Sequence, residues 1–201
     1  MRITGGIYRS RRLRAPRGEA TRPTSDRVRE ALFGMLHSRS ALDAARVLDL
    51  YAGTGALAIE ALSRGATSAI LVESSRAALA ALHANITSLG LQDRTRVLEG
   101  DVRDVARRLA SCGVFDLVFA DPPWVQVDRG DVQRAMAAVI QTLSLSGGAL
   151  VVLELSARSI TPSIEGLVLD QTRRFGDTAL AFYKTAILPG ASPGSDGDPS
   201  E

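Results

Sequence analysis

The stretch Arg46-Val-Leu-Asp-Leu-Tyr-Ala-Gly-Thr-Gly-Ala56 decides the fold class. It begins with an apolar run of strand length, 46–50, passes through a loop with two glycines, and continues into a helical pattern over 55–64. This pattern is typical of the first strand, loop and helix of an α/β sheet. Because the loop after a parallel strand lies at the carboxyl edge, where such sheets bind ligands, the sequence predicts a ligand site there.

The alternation of strand and helix continues along the chain. The other predicted strands cover 68–73, 95–98, 115–120 and 149–155, and the predicted helices cover 75–89, 102–109 and 132–143, with an earlier helix starting at Thr24 or Ser25. Five apolar strands separated by helices predict a mostly parallel sheet covered on both faces. Two more strand patterns, 167–173 and 179–185, predict an antiparallel hairpin that closes one edge.

Acidic residues follow the first three predicted strands. Asp49 lies at the end of the first, Glu73 ends the second and Asp101 follows the third. A carboxylate at the position of Glu73 can accept hydrogen bonds from two ribose hydroxyls. Asp101 is placed to face an adenine amino group. The pattern predicts a ligand that contains adenosine.

Two cofactors compete for this loop. The spacing Gly53-x-Gly55-x-x-Ala58 matches the dinucleotide fingerprint, which favours NAD. Asp49 argues against NAD, because a carboxylate in the crevice repels a pyrophosphate. The same carboxylate suits the ammonium and sulfonium groups of S-adenosylmethionine, which is the cofactor we predict. The third interpretation is a plain turn with Asp49 as a helix cap.

The motif Asp121-Pro122-Pro123-Trp124 directly follows the predicted strand 115–120. Consecutive prolines end a strand and stiffen the backbone, so the carboxylate and a prolyl carbonyl become fixed acceptors. Two acceptors on the N–H groups of a base amino group can hold its nitrogen pyramidal and aim the lone pair at a methyl group. The Trp124 ring can stack on a base that is unpaired or flipped out. The alternative is an ordinary turn.

Positive charge is concentrated at the N-terminus. Residues 1–29 carry +7 and the rest of the chain carries −5, although the total is only +2. A short hairpin is predicted over 2–14, and five arginines lie on it or in the loop after it: Arg9, Arg11, Arg12, Arg14 and Arg17. We predict that they bind RNA phosphates. The alternative is a solvated face.

Length and composition predict one cytoplasmic domain without metal or membrane segment. The 201 residues contain a single cysteine, Cys112, which fits a reducing compartment and excludes a cysteine-based zinc site by itself. The chain has no long apolar run and no apolar stretch of a signal peptide at its N-terminus. The Pro-, Gly- and Ser-rich tail 187–201 is predicted to be disordered.

The combined motifs resemble a known family. With Arg2-Ile-Thr-Gly-Gly6, Arg22-Pro-Thr24, Arg29-Glu-Ala-Leu-Phe33 and Glu60-Ala-Leu-Ser-Arg-Gly65, they are similar to the bacterial 16S ribosomal RNA guanine-N2 methyltransferases. This RsmD-type family belongs to the class I S-adenosylmethionine-dependent methyltransferases. The resemblance covers about residues 2–186 and implies a seven-stranded Rossmann-like sheet in the order 3-2-1-4-5-7-6, extended by a small basic N-terminal β-hairpin.

The resemblance also implies a role for each motif. Asp121, Pro122, Pro123 and Trp124 are expected at the reacting amino group. The expected donor-binding residues are Arg22, Pro23, Thr24, Asp49, Tyr51, Ala52, Gly53, Thr54, Gly55, Glu73, Ser74, Gly100, Asp101, Val102 and Asp121. Two residues depart from common patterns: Ala52 replaces the first loop glycine of many methyltransferases, and Trp124 replaces the more usual Phe.

The predicted organisation has three parts. Residues 1–43 form a basic hairpin and helix that contact RNA and cover the donor, residues 44–186 form the methyltransferase domain, and 187–201 form the tail. The expected partner is 16S rRNA in a partly assembled small subunit, bound by a monomer. Two other functions stay open: adenine-N6 methylation of DNA or RNA, and a non-catalytic RNA-binding role in assembly.

Overall fold

A single seven-stranded mixed sheet organises the computed structural model, which describes residues 1–16 and 25–186. The strands are β1 (Arg46–Asp49), β2 (Ser68–Glu73), β3 (Thr95–Glu99), β4 (Val114–Ala120), β5 (Ser144–Ser156), β6 (Leu167–Phe175) and β7 (Thr178–Thr185). Their order is β3-β2-β1-β4-β5-β7-β6, as the resemblance implies. The first five strands pair in parallel, and β7 pairs antiparallel with β5 and β6. The predicted α/β fold class is therefore confirmed, while the predicted tail lies outside the described residues.

Six α-helices accompany the sheet in the described part of the chain. They are α1 (Asp26–His37), α2 (Ala56–Ser63), α3 (Arg76–Leu89), α4 (Val102–Leu109), α5 (Trp124–Asp128) and α6 (Asp131–Ile140). The hydroxyl of Ser25 caps α1 by accepting from the Val28 amide at 3.2 Å. Gly90 ends α3 with a φ of 66°. These are the start and stop signals expected for helices.

Three elements differ from the sequence prediction by three residues or more. The strand β5 begins at Ser144 instead of 149, and its pairing with β4 shifts register between Phe115 and Leu117. The helix α6 ends at Ile140 instead of 143. The short helix α5 starts at Trp124, where no helix was predicted. Five residues are too few for a helical period to show in the sequence, and Pro123 is compatible with a helix start because its carbonyl accepts from the Gln126 amide.

Each sheet face covers a separate apolar core. Side chains alternate along a strand, so Val47, Leu117 and Val152 face one core together with α1, α2 and α3. Val118 and Val151 face the other core with α4 and α6. Both faces are buried, as the near-continuous apolar strands indicate.

The N-terminal segment, residues 1–16, forms a minimal hairpin. Arg2 and Arg12 make an isolated antiparallel bridge, supported by a 3.0 Å bond from the Ile3 amide to the Arg11 carbonyl. Ile3 and Leu13 are buried in the core shared with α1, α2 and α3. The hairpin predicted over 2–14 is thus present in a shorter form, and it packs on the sheet domain.

A buried carboxylate attaches this segment to α2. Glu60 is fully buried and accepts from the Thr4 amide at 2.8 Å, the Thr4 hydroxyl at 2.7 Å and the Gly5 amide at 2.8 Å. Two arginines balance its charge: Arg64 at 2.8 Å and the buried Arg29 of α1 at 3.4 Å. Glu60 therefore joins the N-terminal segment, α1 and α2 at one point.

Candidate active site

The loop between β1 and α2 has a backbone that requires glycine at two positions. Gly53 and Gly55 have φ values of 55° and 82°, in the left-handed region that other residues disfavour. A Cβ on Gly55 would lie 2.6 Å from Leu82 Cδ1, whereas beside Gly53 there is open space. The loop therefore packs tightly on α3 behind Gly55 and leaves room for a ligand beside Gly53.

Carboxylates lie at or next to the carboxyl ends of four neighbouring parallel strands, on the same sheet face. Asp49 lies in register with Phe119, two residues before Asp121, and Phe119 lies in register with Val152, two residues before Glu154. Glu73 ends β2 in the same way, two residues beyond the partner of Asp49. Because side chains repeat their direction every second residue, these acids share one face and form a negative wall.

Asp49, one of these four acids, is almost completely buried. Its Oδ2 accepts from the Ala58 amide at 3.3 Å, while Oδ1 has no hydrogen-bond partner in the described part of the protein. Burial, with the nearby carboxylates of Asp121 and Glu73, raises the pKa of Asp49 to about 7. A buried acceptor that lacks a partner is costly, so the position favours a ligand that brings a positive charge.

Glu73 holds the loop in place. One of its carboxylate oxygens accepts from the Gly53 amide at 2.7 Å, and the other accepts from the amides of Ser74 and Ser75, both at 2.7 Å. Carboxylate oxygens have additional acceptor capacity, so the same group can still bind ligand hydroxyls. The residue predicted to bind the ribose thus lies at the edge of an already ordered loop.

Asp101 begins α4 as its N-cap. It accepts from the Arg103 amide at 3.0 Å and pairs with the Arg103 guanidinium at 2.9 Å. These hydrogen bonds from Arg103 hold the pKa of Asp101 below its usual value. Tyr51 also lines the cavity. Burial raises the pKa of its hydroxyl to about 12, so this hydroxyl remains protonated at neutral pH.

The motif Asp121-Pro-Pro-Trp124 bends the chain out of β4 into the site. The strand ends at Ala120, as the two prolines predict, and Trp124 opens α5 half-buried. Pro122 is buried, and all four residues of the motif line the main cavity. The aromatic residue, the acid and the two prolines thus border one space.

A cavity of about 1040 Å³ brings most of the predicted site residues together. The predicted donor residues that line it are Tyr51, Ala52, Gly53, Thr54, Glu73, Ser74, Gly100, Asp101, Val102 and Asp121. Asp49 and Gly55 lie behind its wall and do not line it. The predictions for Arg17, Arg22, Pro23 and Thr24 fall outside the described residues.

The predicted RNA-binding arginines lie apart from this cavity. Arg9, Arg11, Arg12 and Arg14 are all exposed on the N-terminal segment. The side chain of Arg11 makes a weak 3.4 Å hydrogen bond to the Ser88 carbonyl, which itself lies at the surface. Their guanidinium groups are therefore accessible to a large anionic partner.

Glu154 and Asn85 are two of the site residues that were not predicted from the sequence. Glu154 lines the cavity at the end of β5, and a lone acid in the apolar run 149–155 was a usable signal for it. Asn85 is fully buried on α3 and binds the Thr54 carbonyl at 2.9 Å and both backbone groups of Arg14. Asn85 therefore ties the N-terminal segment to the glycine loop, through contacts that no local pattern indicates.

Neither a metal cluster nor a membrane-spanning helix is present in residues 1–16 and 25–186. Within these ranges, no group of three or more His, Cys, Asp or Glu side chains is arranged to hold a metal ion. No helix of the same ranges has the length and apolar character needed to cross a membrane.

The sheet order and the site at its carboxyl edge define the class: a methyltransferase with a Rossmann-like fold. A family model described as "Conserved hypothetical protein 95" matches residues 1–184. The chain belongs to that family, which confirms the resemblance to the RsmD-type methyltransferases.

Individual relatives agree over almost the whole chain. Ribosomal RNA small subunit methyltransferase D of Escherichia coli (strain K12) is 35% identical over 186 residues, covering 92% of this chain and 89% of that protein. YlbH of Bacillus subtilis (strain 168), named as a candidate rRNA methyltransferase, is 31% identical over 186 residues, covering 92% of this chain and 98% of that protein. The solved structure of yhhF from Escherichia coli, a candidate methyltransferase, is 34% identical in sequence and has a TM-score of 0.76. The match covers 92% of this chain and 97% of that chain.

Proposed function

We propose that this protein transfers a methyl group from S-adenosylmethionine to the N2 amino group of a guanine in 16S ribosomal RNA. The observation that carries the proposal is the cavity that joins the glycine loop to the Asp121-Pro-Pro-Trp124 motif. The substrate class is supported by the relatives named as rRNA methyltransferases. A cytoplasmic location and a partly assembled small subunit as the partner belong to the same proposal.

The residues present fit the methyl donor. The unpartnered Oδ1 of Asp49 and the acidic wall favour a cation over a pyrophosphate, so they disfavour NAD. Glu73 is placed to take the ribose hydroxyls, and Asp101 with Val102 borders the space for the adenine. When bound, S-adenosylmethionine supplies an electrophilic methyl group on its sulfonium.

Asp121 and Pro122 orient the target amino group. A base amino nitrogen is a weak nucleophile because its lone pair is delocalised into the ring. The Asp121 carboxylate and the Pro122 carbonyl accept its two N–H groups and hold the nitrogen pyramidal, with the lone pair directed at the methyl group for in-line displacement. After transfer the nitrogen carries a positive charge and becomes acidic, so no strong general base is required.

Trp124 and the N-terminal segment would hold the RNA. The ring of Trp124 can stack on the target base, which has to leave its own stack to enter the cavity. The exposed arginines of residues 1–14 would neutralise phosphates of the RNA outside the cavity.

Replacement of Asp121 tests the proposal. We expect Asp121→Ala to reduce methyl transfer by at least about 100-fold, because one of the two acceptors on the reacting amino group is removed. Binding of S-adenosylmethionine, measured by calorimetry, should change little. Asp104→Asn, an exposed acid on α4, is the matched control. Near-normal transfer by Asp121→Ala would show that the reacting group lies elsewhere.

The two alternative functions give different results in the same assays. An adenine-N6 methyltransferase would leave N6-methyladenosine in the digested RNA instead of N2-methylguanosine. A non-catalytic assembly protein would bind rRNA but would show no heat of S-adenosylmethionine binding.

A further inference from the structure

Glu154 of β5 and Asp121 come directly after the last registered pair of β4 and β5, Ala120 with Leu153. Parallel neighbours are about 5 Å apart, and the alternation of side chains along the strands places both residues on the same face of the sheet. Glu154 is 6% exposed, and both Asp121 and Glu154 line the main cavity.

The location of Glu154 assigns it to the substrate side of the cavity. The donor-side carboxylates Asp49 and Glu73 belong to β1 and β2, whereas Glu154 is on β5, beyond Asp121. The turn between β6 and β7, residues 174–178, borders the cavity next to it. A base held by Asp121 therefore has Glu154 on the side away from the donor loop.

Guanine and adenine present opposite chemistry at that position. In guanine the ring N1–H lies next to the 2-amino group, so two adjacent sites donate hydrogen bonds. In adenine the ring N1 beside the 6-amino group carries a lone pair and only accepts. A carboxylate oxygen that accepts hydrogen bonds next to the amino-group site is complementary to the first edge and repels the second.

We propose that Glu154 accepts a hydrogen bond from N1–H of the target base and thereby selects guanine over adenine. The inference rests on the proposed function and deepens it, because it supplies a structural cause for a base preference that the Asp-Pro-Pro-Trp motif alone does not provide. Glu154 is then a specificity-determining residue, while Asp121 continues to hold the reacting nitrogen.

The test compares two bases that share the reacting group. The probes are partly assembled small subunits that contain 16S rRNA made by ligation, with guanosine or 2-aminopurine riboside at the methylated nucleotide. 2-Aminopurine keeps the 2-amino group but has a lone pair at N1. We expect the wild-type protein to prefer guanosine by about 10- to 100-fold in kcat/KM, the range for one hydrogen bond to a charged group. In Glu154→Gln the preference should fall towards 1, because an amide can donate to N1.

The control and the contrary outcomes separate this inference from the proposed function. Glu165→Gln, an exposed acid away from the cavity, should keep the wild-type preference, and unchanged calorimetric binding of S-adenosylmethionine shows that each variant is folded. If Glu154→Gln loses activity equally on both probes, or if the wild-type preference for guanosine is near 1, the role of Glu154 is overturned. Either result leaves the proposed guanine methylation standing. A wild-type protein that methylates neither probe overturns both.

Discussion

Asp49 shows how one residue can prepare a site for a cation at a cost to stability. It is buried among other acids, and its hydrogen bond from the Ala58 amide only partly offsets the loss of water. With a pKa of about 7, this carboxyl group is mostly protonated below neutral pH. A bound ligand with positive charge stabilises the ionised form of Asp49. Binding therefore reverses the preference for the protonated form.

The free energy of unfolding should depend on pH through Asp49. Its pKa is about 7 in the fold and 3.8 in its ordinary state, so the stability that it contributes is complete below about pH 4 and is lost as the pH rises to about 7. In Asp49→Asn this loss of stability with rising pH is absent. In urea unfolding its stability relative to wild type should rise between pH 4.5 and 7, by at most about 1.4 kcal/mol per pH unit, and then level off.

Asp43→Asn, which changes an exposed carboxylate, is the control for this series. Its difference from wild type should stay nearly constant with pH. A constant difference for Asp49→Asn as well would mean that Asp49 is ionised in the fold throughout the range.

At the scale of elements, the N-terminal segment depends on α2 through Glu60. Glu60→Gln leaves the buried Arg29 without its full counter-charge and weakens the bonds to Thr4 and Gly5. We expect a loss of about 3 to 5 kcal/mol in urea unfolding, the usual range when one partner of a buried ion pair is removed. Trypsin should also cleave faster at the arginines of residues 9–14.

Glu30→Gln, an exposed change on α1, is the matched control and should stay within about 0.5 kcal/mol of wild type. If Glu60→Gln were equally mild and equally resistant to trypsin, the segment would be held by the apolar packing of Ile3 and Leu13 alone.

Local patterns were sufficient for most elements, but not for the start of β5 or for the short helix α5. The helix starting after Ser75 and the strand 68–73 follow from capping and from apolar runs, because both signals lie within the element itself. Contacts between residues that are far apart in the sequence leave no local signal of this kind. Glu60 binds residues 55 and 56 positions away, and Asn85 binds a segment 71 positions away, so their roles only became visible in three dimensions.

On the scale of the whole molecule, charge is divided between two functions. The basic N-terminal segment is exposed, whereas Glu73, Asp121 and Glu154 line one cavity and Asp49 lies behind its wall. In the proposed function, a polyanion binds to the exposed basic segment and a cationic donor binds in the cavity. The total charge of +2 hides this division, which the sequence already shows as +7 and −5 on either side of residue 29.

Replacing Arg9, Arg11 and Arg12 with Ala should weaken rRNA binding and make it less dependent on salt. Removal of one phosphate-binding arginine lowers the slope of log K against log salt by about 0.7 to 0.9, so the slope of the triple variant should fall by about 2 to 3. A filter-binding titration at several salt concentrations measures this slope. The control is the triple change of Arg107, Arg108 and Arg129, which are exposed elsewhere. An unchanged slope in the first variant would remove the N-terminal segment from the RNA interface.

The central claim is that this protein methylates N2 of a guanine in 16S rRNA by means of Asp121. The most direct measurement is mass spectrometry of nucleosides from 16S rRNA fragments, taken from cells that lack the protein and from the same cells carrying the wild type or Asp121→Ala. We predict that one N2-methylguanosine is missing without the protein, returns with the wild type and does not return with Asp121→Ala. An unchanged N2-methylguanosine content, or the loss of N6-methyladenosine in its place, would contradict the claim.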